Sequence, residues 1–215
     1  MLARVADALG LSVDADRSQA LLRHLALLER WNQTYNLTAV RDAAAMRVQH
    51  LADCLAAVPP LQRWLATRPP DAPPARLLDV GSGGGLPGVP FAVMLPGVHV
   101  CCADAVAKKV AFLRQVAGEL RLDNLHPVHG RVESLRLPPF DLVSSRAFAS
   151  LADFVRWTGA LRAPQGVWMA MKGRRPDDEI GALPAEVEVF HVEPLSVPGL
   201  GAERCLVWMR PRRGP

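Results

Sequence analysis

Asp79-Val80-Gly81-Ser82-Gly83-Gly84-Gly85-Leu86-Pro87-Gly88 ends one short apolar run, Arg76 to Val80, and overlaps the start of a longer one, Leu86 to Leu95. Glycines in such numbers let the backbone turn sharply from a strand into a helix, and they leave bare amides at the helix N-terminus for a ligand to lie against. The spacing narrows the choice of ligand. A dinucleotide fingerprint, GxGxxG, would need glycine where Leu86 stands, and the Lys and Ser/Thr of a phosphate-binding P-loop are missing. Downstream, short apolar runs keep alternating with longer amphipathic ones. Val98 to Ala103, a weak Leu125 to His129, Phe140 to Ser144 and Val167 to Met171 read as strands, with Val106 to Leu120 and Leu151 to Leu161 as helices between them. This alternation predicts an α/β fold, a three-layer sandwich built on a mostly parallel sheet. Glu186 to Leu195 and Arg204 to Arg210 read as two strands with no helix between them, which predicts an antiparallel C-terminal edge.

Upstream the pattern is helical. Leu21, Leu22, Leu25 and Leu28 recur at helical spacing, Asp16 and Ser18 are candidate caps, and a second helix is expected from near Asp42 through Met46, Val48, Leu51 and Leu55. Residues 67–75, TRPPDAPPA, hold four prolines, which neither helix interior nor central strand accommodates. The organisation expected is a helical N-terminal cap over 1–66, a Pro-rich joint over 67–75 and an α/β domain over 76–215. The chain has 215 residues, half of them hydrophobic, which excludes disorder as the main state. Its 25 Lys+Arg against 21 Asp+Glu leave only +4. Residues 1–75 contribute 8 basic and 7 acidic groups and the remainder 17 and 14, so neither part is a basic arm. A nucleic-acid partner would have to be met by a few arginines placed around a cleft. No run of about 18 apolar residues and no basic start leading into an apolar stretch is present, so a cytoplasmic protein with no membrane partner is expected. Cys54, Cys101, Cys102 and Cys205 form no CxxC pair and read as reduced core residues, and the histidines form no HxxxH or HExxH array, so no metal is expected.

Asp79 ahead of the glycines gives the pattern D-x-G-x-G-x-G, which resembles the first motif of Rossmann-like methyltransferases that bind S-adenosylmethionine. On this pattern Asp79, Gly81, Gly83 and Gly85 become cofactor candidates. The second strand ends at Asp104, where a carboxylate can accept hydrogen bonds from both ribose hydroxyls of an adenosine, or cap the helix that follows. Gly130-Arg131-Val132-Glu133 follows the third strand, where such folds meet the adenine. Ser145-Arg146-Ala147 follows the fourth, where substrate must meet the methyl group.

Together with Trp31-Asn32-Gln33-Thr34-Tyr35-Asn36-Leu37-Thr38, Arg41-Asp42, His50-Leu51 and Asp53, then Phe112-Leu113-Arg114-Gln115, Ser145-Arg146-Ala147-Phe148 and Met171-Lys172-Gly173, the loop resembles the glucose-inhibited division protein B family. Cys54 stands where that pattern has Ser. The resemblance spans nearly the whole chain. It implies a Rossmann-like S-adenosylmethionine-dependent methyltransferase domain over 76–215, with Gly81, Leu86, Val132, Glu133 and Arg146 contacting the cofactor. It implies methylation of guanine N7 in small-subunit ribosomal RNA, a product that influences streptomycin binding. The expected partner is that RNA or the small ribosomal subunit, met by a monomer.

Guanine N7 carries a lone pair and no hydrogen, so the reaction asks for position and not for a base. Arg146 and Lys172, with Arg131 third, are candidates to present donors to guanine O6 or to phosphates; Arg146 could equally close over the cofactor carboxylate. Tyr35, Phe148 or Trp31 could stack on an unstacked base, and for Trp31 and Phe148 core packing is the competing role. Asn36, His50 and Asp53 could order the cap against the loop, or His50 could be a satisfied histidine bonded to Asp53. Lys172, Arg174 and Arg175 suggest a phosphate rim. The competing functions are a methyltransferase of this fold acting on a small molecule and a non-catalytic ribosome-binding protein.

Overall fold

The computed structural model describes every residue except Arg41 and residues 213–215, so Arg41 of the N-terminal signature lies outside the described residues. The chain opens with α1 (Leu2–Ala8) and the long α2 (Ala15–Tyr35). The cap of α2 is Asp14, whose side chain accepts from Arg17 N at 2.8 Å, not Asp16 or Ser18, because the extended backbone that an N-cap needs occurs at Asp14. Leu21, Leu25 and Leu28 are buried as their spacing predicts; Leu22 is 45% exposed, since it falls beyond the edge of that stripe. Asp42 starts the next helix by accepting from Ala45 N. This helix is interrupted: α3 (Ala43–Met46) widens into a π turn (Arg47–Ala52) before α4 (Asp53–Ala56) and α5 (Val58–Leu65). A π turn re-aims the side chains that it carries, and here it carries Gln49 and His50.

Residues 67–75 form neither helix nor strand. Then come β1 (Arg76–Val80), α6 (Gly88–Met94), β2 (His99–Asp104), α7 (Ala107–Leu120), β3 (Leu125–His129), β4 (Phe140–Arg146), α8 (Leu151–Thr158), β5 (Arg162–Lys172), α9 (Asp177–Gly181), β6 (Val187–Pro194) and β7 (Cys205–Pro211). The sheet order is β3-β2-β1-β4-β5-β7-β6. The first five strands are parallel, and β7 runs antiparallel to both β5 and β6, as the tail predicted. The carboxyl ends of β1, β2, β3 and β4 therefore share one edge, where ligands bind in open α/β sheets.

Alternation along β1 divides the core. Leu77 faces the layer that holds α2, α6 and α7, while Leu78 and Val80 face the layer of α8. Leu21, Leu25 and Leu28 of α2 share one buried cluster with Val89, Phe91, Phe112 and Leu113, so the N-terminal helices are packed on the sheet's own helices.

His24 ties the two. It is fully buried, and its Nε2 donates to Gly84 O at 2.8 Å while Nδ1 stays buried without a partner. Burial drives its pKa down from 6.5 to about 4. A folded pKa below the unfolded one gives stability that is fully present above pH 6.5 and lost as the pH falls toward 4, about 3 kcal/mol across that window. His50 acts in the same direction and Asp79, pushed up to about 7 by burial, in the opposite one. Comparing wild type with His24→Phe isolates His24. The advantage in Tm of the wild type should shrink as pH drops from 6.5 to 4; an advantage independent of pH would contradict the assignment.

Candidate active site

The glycine turn is built from both sides. Gly81 N and Ser82 N donate to Ala103 O of β2, and Ser82 Oγ donates back to Asp79 O. Gly81 has φ +66, a left-handed backbone that favours glycine, and an added Cβ would stand 2.5 Å from the Phe148 ring. Gly88 leaves no room either: a Cβ would meet Cys102 Sγ at 2.2 Å. Asp79 does not reach the cleft. Its carboxylate is fully buried, accepts from Gly88 N at 3.1 Å and from Ser144 Oγ at 3.3 Å, and so fastens the first turn of α6 to β1 and β4. Gly85 is buried against Val89 and Leu113, and Leu86 is 5% exposed within the core, so both support the loop from behind.

Asp104 does line the cleft, and Gly83 supports it there through its amide. Gly83 N donates to Asp104 Oδ2 at 3.0 Å, and Val106 N to Oδ1 at 2.9 Å, with Lys109 Nζ at 3.7 Å. Asp104 is not the N-cap anticipated for it: α7 is capped by Val106 without a side-chain bond, and Asp104 fastens the turn just ahead of it, with a lone pair left on each oxygen for a further donor. Asp104, Gly81, Val132, Glu133, Phe148 and Trp157 line a cleft of about 340 Å³, together with Arg131. Phe148 meets Trp157 edge to face at 5.8 Å, so the aromatic ring weighed between core and stacking is a wall of this cleft. Trp31 belongs to the core side, edge-on to Phe112 and donating to Gln115; Tyr35 is 43% exposed and lies under Lys108 Nζ.

Beyond Phe148 the end of β4 meets the π turn. Arg146 Nη1 donates to Gln49 O and Asp53 Oδ2, each at 3.1 Å, and Nη2 to His50 Nδ1 at 3.5 Å. His50 is depressed to about 4 by burial and by the Arg146 charge, so its ring is neutral. With Nδ1 accepting, Nε2 carries the hydrogen and donates to Thr38 Oγ1 at 2.7 Å. The anticipated His50 to Asp53 hydrogen bond is absent; the two residues meet through Arg146 instead. Asn36 caps α2 at φ +49, apart from this cluster in role if not in sequence. Lys172 is spent elsewhere: its Nζ donates to Ala149 O and to both oxygens of Glu179, and Glu179 also accepts from Leu151 N. It pins the turn after Arg146. Arg175 pairs with Asp177 at 2.6 Å, so of the anticipated phosphate rim only Arg174 stands without a protein partner among the described residues. Sequence reasoning missed Arg204, which donates Nε to Asp53 Oδ1 at 2.9 Å; an isolated arginine ahead of the last strand carries no local signal.

A parallel sheet with this order, a glycine turn after β1 facing a carboxylate at the end of β2, and an antiparallel final pair define a Rossmann-like methyltransferase. Solved structures bear out the fold: TrmN from Thermus thermophilus superposes with a TM-score of 0.55 at 22% identity, covering 74% of this chain and 48% of that one. The mitomycin 7-O-methyltransferase MmcR gives 0.57 at 15%, covering 79% and 55%. The family model for rRNA small subunit methyltransferase G (GidB) matches residues 17–207. Ribosomal RNA small subunit methyltransferase G of an Acidovorax species is 61% identical over 209 residues, 96% of this chain and 92% of the relative. That of Methylibium petroleiphilum is 58% identical over 209 residues, 97% and 92%. The chain belongs to the rRNA small subunit methyltransferase G family. Its catalytic class is methyl transfer, and no described helix is long and apolar enough to cross a membrane.

Proposed function

We propose that this chain transfers a methyl group from S-adenosylmethionine to N7 of a guanine in small-subunit (16S) ribosomal RNA, in the cytoplasm. The observation that carries it is Asp104: a carboxylate at the end of β2, held by the Gly83 and Val106 amides, with one open acceptor position on each oxygen and facing a cleft. Two adjacent ribose hydroxyls are the donors that such a group suits. The rest of the cleft fits the same nucleoside: Gly81 gives a bare floor, Val132 and Glu133 stand at the end of β3 for the adenine edge, and Phe148 and Trp157 form an apolar wall. Bound there, the cofactor supplies an electrophilic methyl on a sulfonium.

The chain's own work is then positional. Guanine N7 needs no proton removed, and among the polar groups at the end of β4 the imidazole of His50 is neutral and engaged on both nitrogens, which suits a support better than a base. Arg146 is the residue assigned to hold the guanine, with residues 1–66 acting as a cap that fixes it from Gln49, His50 and Asp53. Arg131, without a protein partner among the described residues, is assigned to RNA phosphates at the rim. The test uses a tritiated methyl donor offered with small ribosomal subunits lacking the modification and, separately, with a panel of small acceptors. Label in the RNA is expected, released as 7-methylguanine. Label only among small acceptors would establish the competing small-molecule reading, and no binding of S-adenosylmethionine in calorimetry would establish a non-catalytic protein.

A further inference from the structure

Asp53 has a carboxylate with 3% exposure, and two guanidiniums divide it: Arg146 from the end of β4 takes Oδ2, and Arg204 from just before β7 takes Oδ1. Left alone, a guanidinium and a carboxylate tend to close into a pair of parallel hydrogen bonds that uses two nitrogens of the arginine. Here that closure is blocked. Arg204 Nε holds Oδ1, with its Nη1 turned onto Glu203 O at 2.8 Å, and Arg146 reaches Asp53 through Nη1 only. Nε of Arg146 and one hydrogen on its Nη2 make no hydrogen bond among the described residues. Two guanidiniums against one carboxylate, beside a neutral His50, also leave one positive charge in excess where the RNA must approach.

We propose that Arg204 is a positioning residue for methyl transfer: by occupying one oxygen of Asp53 it restricts Arg146 to an end-on bond, and so keeps the remaining donors of Arg146 available to the RNA substrate. This rests on the function proposed above. It assigns a role in the site to a residue from the antiparallel tail, which reaches the cleft edge because β7 runs against β5 and therefore begins where β5 ends.

The test is a double-mutant cycle on the full chain, with under-methylated small subunits as substrate and kcat/KM for RNA as readout. Arg204→Gln is expected to lower kcat/KM on the order of tenfold, with the Kd for S-adenosylmethionine within about twofold of wild type, since the loss acts through Arg146 and not through the cofactor. Arg204→Lys, which still offers a charged N–H to Oδ1, should restore most of the loss. In an Asp53→Asn background, Arg204→Gln should add little. An additive loss in both backgrounds, a Lys variant as impaired as the Gln variant, or an unchanged kcat/KM would each overturn the proposal. The Lys variant also decides it should the Gln variant fold poorly. Absence of RNA methylation by the unsubstituted chain would instead overturn the functional reading itself, and this proposal with it.

Discussion

Arg146→Ala should lower the rate of methyl transfer to small-subunit RNA by about 10²- to 10³-fold while the protein stays folded. The side chain ends β4 and is 19% exposed, so in the role proposed for it its donors would act largely out of bulk water, where a charged hydrogen bond counts for most. Folding survives because Asp53 would not be orphaned: Arg204 still bonds Oδ1 at 2.9 Å. Losing Arg146 strips one of the two guanidiniums from a buried carboxylate, and also the donors to Gln49 O and His50 Nδ1, so a cost of about 1–3 kcal/mol in stability is expected. Single-turnover rates at saturating cofactor, alongside thermal melts, separate the two effects. Arg146→Lys keeps the charge but offers a point donor in place of a planar fork, and should remain more than tenfold impaired. Turnover of the alanine variant within about threefold of wild type would remove Arg146 from its assigned role.

Asp104→Ala carries the second large effect, on affinity for the cofactor. Two hydrogen bonds to a charged acceptor are worth about 1.5–3 kcal/mol each, so Kd for S-adenosylmethionine should rise by at least about 10²-fold. A further loss is indirect. Gly83 N and Val106 N would lose their acceptor, so the glycine turn and the start of α7 would no longer be fastened to each other. S-adenosylhomocysteine shares the ribose and should weaken to the same degree, whereas a lesion at the methyl end would separate the two ligands. Calorimetry on both ligands decides the matter, and a Kd shift below about threefold would show that the ribose is held elsewhere.

The sheet was legible because its signals are local. Each of the seven strands lies within a few residues of an apolar run, and the absence of a helix between the last two runs foretold their antiparallel pairing. What sequence could not show is which side of a glycine faces a ligand. Gly81 lines the cleft and Gly83 bonds Asp104 within it, yet Gly85 and Gly88 are glycines because Val89, Leu113 and Cys102 crowd them from behind, and no spacing rule distinguishes the cases. The same holds for the polar set. His50, Asp53 and Arg146 were singled out from motifs far apart in the chain and do come together, whereas Lys172, from an equally clear motif, is committed to Glu179 and Ala149. Arg204 was invisible because its partner lies 151 positions away, and only the reversal of β7 brings it back. The interruption of the helix after Asp42 by a π turn was equally hidden, since backbone widening leaves the apolar periodicity almost unchanged.

Asp53 leaves the ribosome long before either of its partners, since Arg146 follows it by 93 residues and Arg204 by 151. During synthesis the amino-terminal helices therefore emerge with a carboxylate that they cannot yet bury, because its desolvation is compensated only by guanidiniums still to be translated. The helices can form early, but their final docking has to wait for Arg146 and Arg204. A chain stalled between β6 and β7 would already hold every residue that lines the cleft beside Asp104 and still lack Arg204, so the buried carboxylate gains its second partner only with the last strand.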